Sequence, residues 1–296
     1  MTLEEKFGAG GFVITADVLP PKGANLSRAL EEAALLRGRV DGLNVADNPS
    51  ALMRMSPLGL AHLLLEQGIE PVLQMVCRDR NRLSLQSELL GAAALGIRNL
   101  LILTGDHQSL GDHPGAKGVF DLDSVQLLQA AARLMAGEDM SGNKLEGAPQ
   151  FFLGAVVNPA QEPPHLQIMK LEKKVEAGAR FIQTQPVYEP ERFAEFLRQI
   201  RRLKVPVEMG VFILRSAKMA IVMNEKVPGC QVPECLIREL ASAEKQSEAG
   251  ISIAARLIRA ARELCQGVHI MSFNWPQGVL RALEVARLSP AGEAGL

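Results

Sequence analysis

The chain is poor in aromatic side chains: of 296 residues, one is Trp, one is Tyr and ten are Phe. A groove that stacks successive bases of single-stranded nucleic acid needs more rings than this, so a flat ligand here must lie against aliphatic walls. The chain also lacks an excess of charge. A formal net charge of -1 provides no basic field to displace counterions from phosphates, and no nucleic-acid partner is expected. No apolar run approaches the roughly 18 residues of a membrane-spanning helix. The opening MTLEEKFGAGG has neither the cationic flank nor the apolar stretch of a secretion signal. A cytoplasmic protein without a membrane span is the expectation. Cys77, Cys230, Cys235 and Cys265 form no CxxC pair, and no Cys/His cluster has zinc-ligand spacing, so no metal site is expected. They read as free thiols, with Cys77 at a predicted strand end where it could line a pocket. There is no Ser-His-Asp order for acyl transfer. The GAGGF segment precedes the first strand, whereas a dinucleotide fingerprint follows one.

What the chain has is a repeated alternation. Short runs rich in Val, Ile, Leu and Phe recur at Phe12–Leu19, Gly42–Asp47, Pro71–Cys77, Asn99–Asp106, Phe151–Asn158, Arg180–Val187, Val205–Ile213 and Gly267–Phe273. They are nearly continuous apolar runs, as parallel strands covered on both faces should be. Helical periodicity fills Leu26–Arg37, Leu83–Leu95, Ser124–Met135, Leu166–Ala177 and Pro190–Leu203. Gly96, Gly137 and Gly178 follow helical runs, where a left-handed residue ends a helix at little cost. An extended helical region near 216–264, interrupted around Val227–Pro233, precedes the eighth strand. Strands alternating with helices imply right-handed parallel crossovers. The expected fold is α/β: a single (β/α)₈ TIM barrel over 1–296, with an open doubly wound sheet as the alternative.

Barrel enzymes carry their chemistry at the C-terminal ends of the strands. The polar residues there are Asp17, then Asp47 and Asn48, Gln74 with Arg78 and Asp79, Thr104-Gly105-Asp106, Asn158, Gln183 and Gln185, and Arg215-Ser216. Gln183 and Gln185, two apart on a strand, share a face, and a carboxamide serves both donor and acceptor edges of a heterocycle. Such a mouth suits a polar, planar ligand and proton transfer. Several of these residues also have plain structural readings. A strand-end Asp caps the next helix, Asp47 and Asn48 make a turn, and Lys173 and Lys174 decorate a solvated helix face.

Several segments resemble one family in order along the chain. Ile14–Lys22 (ITADVLPPK), Leu103–Asp106 (LTGD), Gly154–Pro159 (GAVVNP), Leu171–Gln185 (LEKKVEAGARFIQTQ), Gln185–Tyr188 (QPVY), Leu214–Ala217 (LRSA) and Asn224–Glu234 (NEKVPGCQVPE) resemble motifs of methylenetetrahydrofolate reductases, in particular a bacterial branch with complex-bound or fused reductases. The resemblance runs from about Phe12 to about Phe273. It implies a flavoprotein of one-carbon metabolism, with FAD or alternatively FMN, that reduces 5,10-methylenetetrahydrofolate to 5-methyltetrahydrofolate. By this resemblance Asp17 matches the general acid, Asp106 the carboxylate near flavin and pterin, and Gln185 the folate-binding glutamine. Ala46, Gln74, Leu103, Thr104, Gly105, Asp106, Asn158, Lys170, Lys173 and Lys174 fall at flavin-contacting positions. The acid is usually Glu in the family and is Asp17 here. Gln74 and Asn158 stand where the family commonly has histidines, and Ala217 falls nearest its stacking phenylalanine. Expected partners are the folate substrate and either NAD(P)H or an electron-transfer subunit, in an oligomer or larger complex. Two alternatives are a flavin-dependent barrel acting on another planar heterocycle and a non-catalytic or partner-dependent folate- and flavin-binding subunit.

Overall fold

The computed structural model describes residues 1–227 and 229–290. Pro228, inside the predicted interruption, and 291–296, the end of the span expected to form one barrel, lie outside the described residues. Eight parallel strands close into a barrel in sequence order: β1 (Val13–Val18), β2 (Gly42–Val45), β3 (Pro71–Val76), β4 (Asn99–Leu103), β5 (Phe152–Val157), β6 (Phe181–Pro186), β7 (Val207–Phe212) and β8 (Gly267–Met271). Closure is made by β1 on β8, with Thr15 opposite His269. All eight predicted strands are present.

The predicted helices are present as α2 (Ser27–Leu36), α4 (Arg82–Ala94), α5 (Ser124–Met135), α6 (Pro164–Glu176) and α7 (Pro190–Ile200). The extended region resolves into α8 (Ala217–Lys226), α9 (Glu234–Ser242) and α10 (Gln246–Leu264). Three further helices were not expected: α1 (Leu3–Gly8), α3 (Pro57–Glu66) and α11 (Pro276–Ala286). Gly96, Gly137 and Gly178 each have positive φ just past a helix end, where a Cβ would be strained. The outer faces of the strands and the inner faces of the helices share one large apolar core.

The barrel interior is layered. At its N-terminal end Leu3, Val13, Val72, Leu101, Phe152 and Phe181 form a separate apolar cluster, with Phe7 of α1 against it. The Phe152 and Phe181 rings stack at 4.8 Å, and Phe7 lies 6.1 and 6.2 Å from them. α1 is set there by a reciprocal Thr2–Glu5 capping box and by the buried Lys6, whose Nζ is 2.6 Å from both Asp41 carboxylate oxygens. Gly154 has no side chain because the Phe181 ring occupies its Cβ position.

This packing predicts that Gly154→Ala lowers unfolding free energy by about 3 kcal/mol through overpacking. Phe7→Ala, which removes a half-buried ring, should cost about 2 kcal/mol. Urea titration followed by circular dichroism measures both, and wild-type midpoints in either variant would contradict the plugged-end packing.

Candidate functional site

Directly above the aromatic layer the interior becomes polar. Thr15 (β1), Asn44 (β2), Gln183 (β6), Glu208 (β7) and His269 (β8) are each at most 4% exposed. Alternation along a strand places them on the inward face, and they bond to one another across the barrel. The Thr15 hydroxyl donates to Glu208 Oε1 at 2.8 Å. Gln183 Nε2 donates to Glu208 Oε2 at 2.8 Å, and Asn44 Nδ2 donates to Gln183 Oε1 at 2.7 Å. His269 Nδ1 lies 2.9 Å from Thr15 Oγ1.

One step further up lies the mouth. In six strands one residue is only part-buried, and each stands at or near the C-terminal end: Asp17, Gln74, Leu103, Val156, Gln185 and Met271. Asp17 follows Thr15 by two residues, and its Oδ1 is 3.2 Å from His269 Nε2. Gln185 follows Gln183 by two, in a stretch where the β6–β7 register slips. The side chain of Gln185 makes no hydrogen bond among the described residues. Ala46, just past β2, is buried. Asp106 lies above β4, exposed, and accepts the Ser50 N–H at 3.1 Å. Asp17, Asp106 and Gln185 therefore stand at the same end of the barrel.

The neighbouring residues divide into supports and free surfaces. Asp47 is buried, accepts the Val76 N–H at 2.9 Å and pairs with Arg80, which also pairs with Glu88. Burial outweighs Arg80 and pushes the Asp47 carboxyl above the usual carboxylate range. Arg78 donates to the carbonyls of Asp106 and Asn48, at 3.1 and 3.2 Å, binding the β2 and β4 loops together. Arg215 lies over the Trp275 ring and holds the carbonyls of Ser272 and Phe273, while Ser216 caps α8. Gly105 has φ +93°, and a Cβ there would press on Val76 and Arg78; only glycine fits this turn. Thr104 bonds to Ser124 at 3.2 Å. Asn158 donates to the Gly229 carbonyl at 3.0 Å and accepts the Ala160 N–H.

The three predicted lysines of α6 separate. Lys170 and Lys173 are exposed. Lys174 is turned inward, against its plain reading as a solvated residue. Its Nζ donates to the Val156 carbonyl at 2.6 Å, and no carboxylate pairs with it among the described residues. Burial, with the charge of Lys170, pulls its ammonium down to about 8. Asp123 is the acidic group whose charge opposes this shift, without forming an ion pair with Lys174. Cys77 does not line a pocket: it is fully buried in the outer core, and burial pushes its thiol up to about 12.

Two functional candidates escaped sequence reasoning, His269 and Glu208. Each is a lone polar residue in an apolar strand, GVHIM and VEMGVF. That interruption is itself the signal, since a charge inside a strand buried on both faces needs a partner. Burial pushes Glu208 up to about 7, against the opposing pulls of His269, Gln183 and Thr15. For His269, burial alone lowers the value, but the charge and hydrogen bond of Asp17 and the charge of Glu208 leave it raised. A groove of about 980 Å³ also lies at the opposite end of the barrel, beside Phe7, Arg180 and Arg201, away from these groups.

A family model described as methylenetetrahydrofolate reductase matches residues 2–286. Methylenetetrahydrofolate reductase 2 of Schizosaccharomyces pombe is 28% identical over 237 residues, covering 75% of this chain and 36% of that protein. A probable methylenetetrahydrofolate reductase (NADPH) of Caenorhabditis elegans is 26% identical over 176 residues, covering 58% of this chain and 25% of that one. The chain thus spans about a third or less of these relatives. An uncharacterized Clostridium thermocellum protein that binds two copies of 5-methyl-5,6,7,8-tetrahydrofolic acid has the same fold, with a TM-score of 0.68, 16% identity and coverage of 96% and 97% of the two chains.

The buried carboxyl has a stability signature. Glu208 rises from an ordinary value of 4.5 to about 7, so the folded state holds its proton more tightly than the unfolded chain does. Its favourable contribution is full below about pH 4.5 and is lost as pH rises through 7; the raised His269 acts in the same direction. Glu208→Gln should therefore match wild type near pH 5 and exceed it by about 3 kcal/mol near pH 8. Denaturant titrations at the two pH values measure this, and a pH-independent difference would contradict a neutral, buried Glu208.

Proposed function

Because the chain belongs to the methylenetetrahydrofolate reductase family, we propose that it reduces 5,10-methylenetetrahydrofolate to 5-methyltetrahydrofolate in a barrel that binds both flavin and folate. The observation that carries the reading is the mouth itself, where Asp17, held by His269, and Gln185 both belong to the ring of part-buried strand-end residues. The fold neighbour's binding of a methylated tetrahydrofolate is in keeping with this substrate class.

The residues fit a flavin. Lys174 offers a half-buried cation without a carboxylate partner, suited to a phosphate, with Lys170 beside it. Gly105 brings backbone close to the mouth, and Ala46, Leu103 and Gln74 supply a largely aliphatic wall with one carboxamide. The flavin is FAD or, as the alternative, FMN. When bound, the flavin supplies hydride transfer, and the protein supplies binding, orientation and electrostatics.

Asp17 delivers a proton to the folate nitrogen that leaves as the five-membered ring opens, giving an iminium at the other nitrogen. Asp106, exposed beyond β4 and accepting the Ser50 N–H, sets negative charge near that cation as it develops. Gln185 presents donor and acceptor edges to the pterin. The aspartate is one methylene shorter than the family's usual glutamate. Its contact with His269 at 3.2 Å sets the carboxyl against the β8 imidazole. Ala217, small and buried at the start of α8, provides no ring to stack a nicotinamide. That favours electrons arriving from a partner subunit in place of NAD(P)H.

Purified protein should be yellow and should oxidise 5-methyltetrahydrofolate with an artificial electron acceptor. A colourless protein still inactive after reconstitution with FAD and FMN would sink the proposal. Asp17→Asn should slow the folate half-reaction by about 10²- to 10³-fold and flavin reduction far less. Equal slowing of both would remove Asp17 from the acid role. Rapid reduction of the isolated chain by NADH or NADPH would dismiss the partner subunit as electron source.

A further inference from the structure

The interior polar layer reaches Asp17 through a continuous line of polar contacts, two hydrogen bonds and a final ion-pair contact. Glu208 Oε1 is 2.8 Å from the Thr15 hydroxyl, the hydroxyl oxygen is 2.9 Å from His269 Nδ1, and His269 Nε2 is 3.2 Å from Asp17 Oδ1. Every link joins atoms that can both give and receive a proton. We propose that Glu208 is a positioning residue that serves as the buried proton source for Asp17, acting through Thr15 and His269. The proposal rests on the reading of Asp17 as the folate acid.

The line has two proton arrangements of equal charge. In the first, Glu208 is protonated and donates to Thr15, Thr15 donates to His269 Nδ1, and the Nε2–H of His269 donates to the Asp17 carboxylate. In the second, each hydrogen has moved one link. Asp17 carries the proton and donates to a bare Nε2, Nδ1–H donates to Thr15, and Thr15 donates to the Glu208 carboxylate. One proton leaves Glu208 and one arrives on Asp17; no heavy atom moves and no electron is transferred. The second carboxylate oxygen, Oε2, takes no part because Gln183 Nε2 occupies it at 2.8 Å. Gln183 is held this way round by Asn44, whose Nδ2 donates to its oxygen at 2.7 Å, and its Nε2 also lies 3.3 Å from Thr15 Oγ1. These bonds leave Oε1 as the exchanging atom.

The electrostatic surroundings suit a reservoir. Glu208 and His269 face each other and Asp17 across β7, β8 and β1; beyond them lie Asp41, engaged by Lys6, and the buried Cys265 thiol. Glu208 is fully buried and holds its proton up to about pH 7. A flat ligand covering the mouth separates Asp17 from solvent at the moment its proton is consumed. A proton stored below the ligand is then the available replacement.

The test has one arm that needs no turnover. In flavin-free protein labelled with ¹⁵N-histidine, loss of the Glu208 proton near pH 7 should turn the Thr15 hydroxyl toward the carboxylate and draw a hydrogen onto His269 Nδ1, so that the His269 signals, identified by their loss in His269→Asn, shift with an inflection there. In Glu208→Gln the new amide oxygen faces Gln183 and its NH₂ faces Thr15, so His269 is locked as the Nε2–H form and the inflection disappears. An inflection that survives overturns the proposal. In the second arm, with flavin bound, Glu208→Gln and Thr15→Val should slow the folate half-reaction about tenfold. Both should also straighten the curved dependence of rate on deuterium fraction expected of wild type, while Thr15→Ser restores both. Thr15→Val reacting as fast as Thr15→Ser also overturns it. Coupled titration in a wild-type chain that turns over no folate would remove the folate reading and leave the Glu208–Asp17 proton line standing.

Discussion

A fully buried carboxyl group at the centre of the barrel, Glu208, constrains most of what surrounds it. A carboxylate taken out of water costs several kcal/mol unless paired and hydrogen-bonded. Here Thr15 and Gln183 each give Glu208 a hydrogen bond at 2.8 Å, His269 supplies a neighbouring cation or donor, and the carboxyl holds its proton up to about 7. The partners sit on β1, β6 and β8, so satisfying this one group fixes the register of strands far apart in sequence. A slip of one residue in any of them would turn a partner to the outer face and leave a buried polar atom without a bond.

The layers on either side follow from this. Below, the stacked rings of Phe152 and Phe181 and the α1 plug keep water from the polar layer through the N-terminal opening. Above, the strand ends open into the mouth, and its rim is tied down by charge. Arg78 holds the Asn48 and Asp106 carbonyls, and Asp106 in turn takes the Ser50 N–H. Lys22 pairs with Asp112, whose carboxylate also accepts the Met53 N–H at 3.0 Å. The Gly- and His-rich segment after β4 is thereby fastened to the β1 and β2 loops, and His113 finds a partner in Asp112.

The strands were legible because a strand buried on both faces can hardly read otherwise than as an apolar run, and eight such runs alternating with helical stripes admit few closures. The missing helices each hid for a physical reason. α3 (PLGLAHLLLE) is apolar almost all round, so no stripe stands out. α1 has only six residues, too few for a period. Its capping box was readable as Thr2-x-x-Glu5, but its purpose depends on the barrel end it covers. Asp17 and Gln185 were legible from ordered strand-end motifs, and the ring of part-buried residues contains both. Glu208 and His269 were not legible, because they lie 193 and 254 residues along the chain from their shared partner Thr15 and only closure of β1 on β8 brings them together. Lys174 departs from its plain reading as a solvated residue, whereas its neighbours Lys170 and Lys173 are exposed. The helical period turns Lys174, between exposed Lys173 and half-buried Val175, far enough inward to reach the β5 carbonyl.

The aspartate at the mouth and the glutamate below it are best understood together. Two carboxylates joined through one imidazole cannot all be charged at no cost, because the interior dielectric is low and Coulomb terms are large there. Sharing one proton over the line from Glu208 to Asp17 keeps the total charge constant wherever that proton resides, so the barrel core need not reorganise when it moves. A longer acid at position 17 could reach a ligand from a less constrained position, but it would no longer meet His269 at the height set by the pairing of Thr15 with His269 across β1 and β8. In this chain the shorter aspartate is the residue whose length matches a proton line that begins inside the barrel.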